Sequence, residues 1–300
     1  MRILITGGSG QLGNELRRIL GSGFAEIGPI PDLYLNAQVV STDVNQLDIT
    51  DRNAVMEFVA QGDFDLVINC AAMTNVDGCE TSEAAAYRVN ADAPGYLAAA
   101  CEMSGAKFVQ VSTDYVFPGT EHEPRLESDP TGPSSAYGCT KLAGENAVLA
   151  ACRRSFVVRT AWLYGYVGKN FVKTMLRLGE DCRELTVVDD QRGNPTSAND
   201  LAYEILKIAV TQAYGIYHCT NNGTCSWADF AEAIMDGARL DCKIIRCSSE
   251  EYSRAHPTSA NRPAFSSLRN KRLEDTIGDE MRLWTEALSS YLGNLEDLAG

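Results

Sequence analysis

No stretch of this 300-residue chain approaches the roughly 20 consecutive apolar residues of a membrane-spanning helix. Basic residues are also short: 26 Lys and Arg stand against 40 Asp and Glu, a formal charge of -14. Nonspecific nucleic-acid binding depends on basic surfaces, so neither a membrane nor a nucleic acid is an expected partner. A small anionic substrate is not excluded, because a few local donors override global charge. Histidine is scarce, and His122, His218 and His256 lie too far apart for a zinc spacing. The ten cysteines contain no Cys-x-x-Cys pair, and Cys70, Cys101 and Cys139 fall inside apparent strands or helices. Reduced, mostly buried thiols are expected, with no metal. Repeats and low-complexity tracts are absent. Met1 to Thr6 runs straight into a strand, without the apolar segment or cleavage site of a secretory leader. A cytoplasmic location is expected. The 45% hydrophobic content suits one large α/β domain or two smaller ones.

What is present starts at the N-terminus. Arg2-Ile3-Leu4-Ile5-Thr6 reads as a buried parallel strand. It enters Gly7-Gly8-Ser9-Gly10-Gln11-Leu12-Gly13, and helical periodicity follows from Asn14 to Leu20. Glycines at 7, 10 and 13 meet the demands of a dinucleotide loop: a tight turn, close backbone approach to a pyrophosphate, and a helix packed hard on the sheet. The helix N-terminus then directs free N–H groups at phosphate. A carboxylate is expected on the adenosine ribose at the end of the second strand. Ala37 to Asp43 reads as that strand and offers Asp43, which would repel a 2′-phosphate and gives a mild lean to NADH over NADPH. An alternative strand, Phe24 to Ile30, would offer Asp32 instead, and Gly21 to Asn36 otherwise reads as an extended connection. Asp48 and Ile49 are candidates to flank the adenine, with Thr50 capping a helix from Asp51.

Strand and helix continue to alternate through residue 160. Phe64 to Ala72 ends in Cys70, Ala71 and Ala72, small enough to let a cofactor pass close by. Gly105 to Thr113 ends in two hydroxyls. Alternation of this kind predicts an α/β fold with a doubly wound parallel Rossmann sheet, with ligands at the carboxyl ends of the strands. Tyr137 and Lys141 stand one turn apart on the following helix. A phenol and an ammonium on one helical face form an acid–base unit, the ammonium favouring phenolate.

Together, Gly7-x-x-Gly10-x-x-Gly13, Ser112 to Phe117 and Tyr137-x-x-x-Lys141 resemble the extended short-chain dehydrogenase/reductases. Gly10-Gln11-Leu12-Gly13, Leu47 to Asp51, Asn69 to Asp77, Arg159 to Tyr164, Asn170 to Val172, Asp190 to Thr196 and Arg262-Pro263 are similar to the dTDP-4-dehydrorhamnose reductase family within that group. Cys70 in place of the usual alanine and the long 21–36 connection depart from its pattern. The resemblance implies that NADH or NADPH reduces the C4 ketone of a nucleotide-linked 4-keto-6-deoxysugar. Tyr137 would protonate the C4 oxygen, Lys141 would lower the tyrosine pKa and hold the nicotinamide ribose, and Thr113 would hydrogen-bond the substrate oxygen. Gln11, Leu12 and Thr74 would join the cofactor contacts. Val76, Asp114, Tyr115 and Trp162 would line the sugar pocket, though Trp162 also reads as a core aromatic. Arg262 would meet the diphosphate or remain a surface arginine. Glu15 falls where relatives place a carboxylate of a metal-linked dimer, and reads as a solvated helix residue. Tyr115 stands where the sugar-nucleotide dehydratases carry an acid, which argues for simple reduction.

The alternation weakens after Gly165. The expected organisation is a dinucleotide-binding domain over 1–165 with a return at about 195–220, and a smaller, mainly substrate-binding domain over 166–300. Helices are expected at 170–178, 199–211, 227–238 and 281–292, and a loop over the site from Ser248 to Arg262. Monomer and homodimer are both left open. The competing readings are another nucleotide-sugar reductase or 4-epimerase of the same superfamily, and a nucleotide-binding regulatory subunit without chemistry.

Overall fold

The four strands read from the sequence form, and a fifth joins them, all parallel: β1 (Arg2–Thr6), β2 (Gln38–Thr42), β3 (Leu66–Asn69), β4 (Lys107–Thr113) and β5 (Ser155–Thr160). The structure, a computed structural model, describes residues 1–255 and 262–299. A sixth strand, Gly215–His218, pairs with β5, and the sheet order is β2-β1-β3-β4-β5 followed by that strand, parallel throughout. The doubly wound parallel sheet expected from the sequence is the one found. Ile3, Leu4, Ile5 and Leu66, Val67, Ile68 are all buried, as both faces of a covered sheet require. One face carries α1 (Gln11–Ser22) and helix Ala198–Val210, which share a core with Ile3, Ile5, Ile68 and Val158. The other carries α2 (Arg52–Gly62), α5 (Ala93–Ser104) and α6 (Ala136–Ala151) over Leu4, Val67, Phe108 and Val157. Short α3 (Val76–Thr81) and α4 (Glu83–Tyr87) precede α5, joined to it by a wide π turn at Arg88–Asp92. The order reverses beside β1, which opens a crevice at the carboxyl ends of β1 and β3.

Three local expectations change. The Gly21–Asn36 connection is not a loose extension: Ile30 and Tyr34 are buried, and Tyr34 Oη donates to Leu206 O at 2.9 Å. Its one short helical turn, Asp32–Tyr34, leaves Asp32 exposed, and no strand forms at 24–30. The partner of β1 is Gln38–Thr42, so Asp43 is the carboxylate at that strand end. Helix α2 is capped by Asp51, whose carboxylate accepts from Asn53 N and Ala54 N, rather than by Thr50.

Beyond β5 a second core gathers around Val172, Met175, Phe230, Ile234, Leu288 and Tyr291. It is built from helices Phe171–Asp181, Trp227–Gly237 and Trp284–Ala299 and the parallel pair Glu184–Val188 and Lys243–Cys247. Asn170 caps the first of these helices, and Ser226 and Asp229 close a capping box on the second. Helix Ala198–Val210 packs on α1. The expected loop from Ser248 is in part a helix, Ser249–Ala255. Residues 256–261, with His256 and Pro257, lie outside the described residues. Among the described residues no helix is long and apolar enough to cross a membrane, and none of the His, Cys, Asp and Glu clusters suits a metal. All ten cysteines are free thiols, but Cys139 is exposed rather than buried.

Candidate active site

A cleft of about 500 Å³ opens at the carboxyl ends of β1, β3, β4 and β5. Its first wall is the glycine loop, with Gly7, Gly10, Gln11, Leu12 and Gly13 lining it. Gly7 has φ +68°, and a Cβ there would stand 2.7 Å from Ala71 N. A Cβ on Gly13 would stand 2.3 Å from Gly7 O. Only glycine permits this loop to close on itself. Gly10 caps α1 without a side-chain bond, so the first N–H groups of the helix keep no internal partner. An open helix N-terminus behind a backbone-walled cradle fits a pyrophosphate.

Cys70, Ala72 and Thr74 line the cleft after β3, while Ala71 lies behind them against Gly7. Asp43 sits at the loop, its carboxylate accepting from Ser9 N at 3.2 and 3.3 Å. Asp48 and Ile49 do not line the cleft. Ile49 is buried in the core under α2, and Asp48 is exposed, its carboxyl held below the ordinary range by the Thr50 hydroxyl and N–H. Ile49 is apolar and follows the buried Leu47, so the core takes it.

The candidate acid–base residues come from β4 and α6. Ser135 caps α6 by accepting from Gly138 N, and Gly138 lets the helix touch the strand end, where a Cβ would be 2.2 Å from Tyr115 O. Tyr137 and Lys141 both line the cleft with Thr113. The Thr113 hydroxyl donates to Asp114 Oδ1 at 2.9 Å and accepts from Tyr115 N at 3.2 Å. The same hydroxyl, free to rotate, also stands within hydrogen-bond reach of the Tyr137 phenol. Lys141 Nζ donates to Val111 O at 2.6 Å. Burial brings the lysine down to about 8, with Glu145 and Cys70 holding it up. The expectation of a tyrosine lowered by its lysine does not describe this state. Burial pushes the Tyr137 phenol above its ordinary value and the Thr113 hydroxyl opposes it, while the amine is turned to Val111.

Asp114 is buried, and its Oδ2 has no hydrogen-bond partner among the described residues; the nearby Ser266 hydroxyl lies 3.5 Å from Arg192 O. Burial pushes its carboxyl up to about 6, opposed by Ser266, Thr113 and nearby backbone N–H groups. Tyr115 packs edge-on to Tyr137, ring centroids 5.5 Å apart. Val76, at the start of α3, closes this side.

Opposite stands Trp162, which has φ +45°, a left-handed conformation costly for a bulky residue. Its indole lies flat on Trp227, centroids 3.5 Å apart and planes 5° from parallel. It is half-buried at the cleft wall rather than a core aromatic. Sequence reasoning did not find Trp227; the only signal was its place at the start of a helix. Trp227 and Arg262 also line an adjoining cavity of about 710 Å³ with Phe171, Met175, Thr186, Gln191 and Tyr252. Arg262 lies 3.8 Å from the Asp77 carboxylate, at the junction of the two spaces. Glu15 is not solvated: it is 1% exposed and accepts from Arg18 at 3.0 Å and Asn199 at 2.9 Å.

Residues 1–296 match the family model described as RmlD substrate binding domain. A dTDP-4-dehydrorhamnose reductase of Streptomyces griseus is 40% identical over 305 residues, covering 100% of this chain and 95% of that protein. The crystal structure of a dTDP-4-dehydrorhamnose reductase from Clostridium acetobutylicum superposes with a TM-score of 0.92 at 48% identity, covering 99% of this chain and 100% of that one. A Bacillus anthracis dTDP-4-dehydrorhamnose reductase in complex with NADP gives 0.89 at 37% identity, covering 98% and 99%.

Proposed function

The chain belongs to the RmlD substrate binding domain family, and from that premise we propose that it is an NAD(P)H-dependent reductase of the C4 ketone in a nucleotide-linked 4-keto-6-deoxysugar. The substrate that fits best is dTDP-4-dehydro-L-rhamnose, giving dTDP-L-rhamnose, as the names of the relatives suggest. The observation that carries the reading is one cleft in which the glycine cradle, Thr113, Tyr137 and Lys141 meet. A bound nicotinamide cofactor supplies the hydride. Gly7, Gly10, Gln11, Leu12 and Gly13 would hold its pyrophosphate side, Cys70, Ala71, Ala72 and Thr74 would flank it, and Asp43 would face the ribose.

In the reaction Tyr137 gives its phenolic proton to the C4 oxygen as charge develops there. Lys141, swung from Val111 O towards the cofactor ribose, lowers the cost of the resulting phenolate. Thr113, its hydroxyl rotated away from Asp114, would donate to the C4 oxygen beside the phenol as charge develops there. Val76, Asp114, Tyr115 and the Trp162–Trp227 pair would enclose the sugar. Arg262 would take the diphosphate at the junction, with the nucleoside in the larger cavity. Tyr115 brings a phenol of raised pKa, not an acid, to the position beside Asp114; that favours reduction over dehydration. The ten free thiols support a cytoplasmic enzyme, acting as monomer or homodimer.

The test is the loss of reduced-nicotinamide absorbance with dTDP-4-dehydrorhamnose as substrate. Wild type should consume reduced cofactor, and Tyr137→Phe should lose roughly 10²–10⁴-fold in kcat while still binding cofactor. No turnover by wild type, or full activity in the Phe variant, sinks the reading.

A further inference from the structure

Three consecutive residues of β4 serve three residues of α6. Val111 O takes Lys141 Nζ at 2.6 Å, Ser112 Oγ donates to Glu145 Oε1 at 2.5 Å, and Thr113 meets Tyr137. Tyr137, Lys141 and Glu145 stand one turn apart in succession, on one helical face. Glu145 is 1% exposed and pairs with the equally buried Arg159, whose Nε lies 2.9 Å from Oε1 and Nη2 2.7 Å from Oε2. Ser112 is in register with Arg159, and Arg159 with His218, so the layer crosses three strands. A buried ion pair is weak evidence for stability, because apolar residues of like volume often serve as well. The position of this pair, directly behind the acid–base residues, calls for another role.

We propose that Glu145 is a positioning residue of the catalytic centre: its carboxylate, fixed by Ser112 and Arg159 one turn behind Lys141, keeps that lysine charged and aimed along the edge of β4. The inference rests on reading Tyr137 and Lys141 as the acid–base pair. The groups that act on Lys141 are Glu145 on its own helix and Cys70 at the end of β3. Arg159 faces Glu145 from β5, with His218 behind it; burial and Arg159 bring His218 down to about 3, so it is neutral. Asp114, Tyr115 and Cys79 face the Tyr137 phenol instead. A nearby carboxylate favours ammonium, so its removal lowers the pH at which Lys141 loses its proton.

The experiment is an NMR titration of ¹³Cε-lysine-labelled protein without cofactor, with Lys141 assigned by its absence in Lys141→Met, alongside pH profiles of kcat/KM. Glu145→Gln should move the Lys141 midpoint, and the alkaline limb with it, down by roughly one pH unit. Glu145→Asp keeps the charge and should restore the midpoint to within a few tenths of wild type, roughly. Should the Gln variant fail to fold, Glu145→Gln with Arg159→Met removes the pair as a unit, and a smaller shift in the same direction is expected, because the nearer charge, Glu145, outweighs Arg159 at Lys141. An unmoved midpoint in a folded variant overturns the role of Glu145. A wild type that binds cofactor yet turns over no keto-sugar fails the reductase reading instead, and the titration separates the two.

Discussion

Replacing Asp114 by asparagine should make the protein more stable and a poorer catalyst. Asp114 is 2% exposed, and burial lifts its carboxyl from 3.8 to about 6. A carboxyl whose folded pKa exceeds its unfolded value is a liability when ionised. The cost is fully present above about 6 and fades as pH falls towards 3.8. A shift of about two units corresponds to about 3 kcal/mol at neutral pH. Asparagine does not ionise. Its Oδ1 still accepts from Thr113, and its amide can donate to the Ser266 hydroxyl beside the orphaned oxygen. Thermal and urea unfolding of wild type and Asp114→Asn at pH 7.5 and pH 4 measure the difference. The variant should gain up to about 3 kcal/mol at the higher pH, roughly 5 °C in Tm for a chain of this size, and almost nothing at the lower. Its kcat/KM should fall, because a neutral amide replaces the charged acceptor that would face the sugar on the proposed reading. A variant less stable at pH 7.5, or a difference that does not vary with pH, refutes the reasoning. A stabilising change that costs activity marks a group kept for chemistry rather than folding.

Trp227→Ala removes one indole from the 3.5 Å stack; substrate KM should rise roughly 2–10-fold, from an aromatic pair worth about 0.5–1.5 kcal/mol, with kcat little changed in steady-state assays. Gly144→Ala should destabilise by roughly 1–3 kcal/mol in urea unfolding, although alanine is the better helix former, because its Cβ would stand 2.1 Å from Asn90 O. Asp43→Asn should raise kcat/KM for NADPH relative to NADH by roughly fivefold, the scale of about 1 kcal/mol for two charges near 4 Å in water; an unchanged ratio would separate Asp43 from the ribose.

How much of this was legible in the sequence depends on the range of the forces involved. The strands were readable because Ile3-Leu4-Ile5 or Leu66-Val67-Ile68 admits few fates other than a sheet covered on both sides. The glycine loop was readable because Gly7 and Gly13 meet backbone atoms at distances that exclude any side chain. Both are properties of a short stretch of chain. What the sequence hid is set by partners far along it. Ile49 looked like a ligand contact by position, but it is only 7% exposed and packs into the core under α2. Glu15 looked like a solvated helix residue until Asn199, 184 positions away, bonded its carboxylate. Glu145 shares a helical face with Tyr137 and Lys141, yet its meaning depends on Arg159 and Ser112 from two neighbouring strands. Tyr137 carries the same lesson into chemistry. Spacing alone predicts a phenol lowered by its lysine, but the folded cleft desolvates both groups and turns the amine to Val111 O. Within the proposed reaction the lysine would trade that carbonyl for the cofactor ribose. A carboxylate fixed one turn behind it, at Glu145, would then favour its charged form through that move.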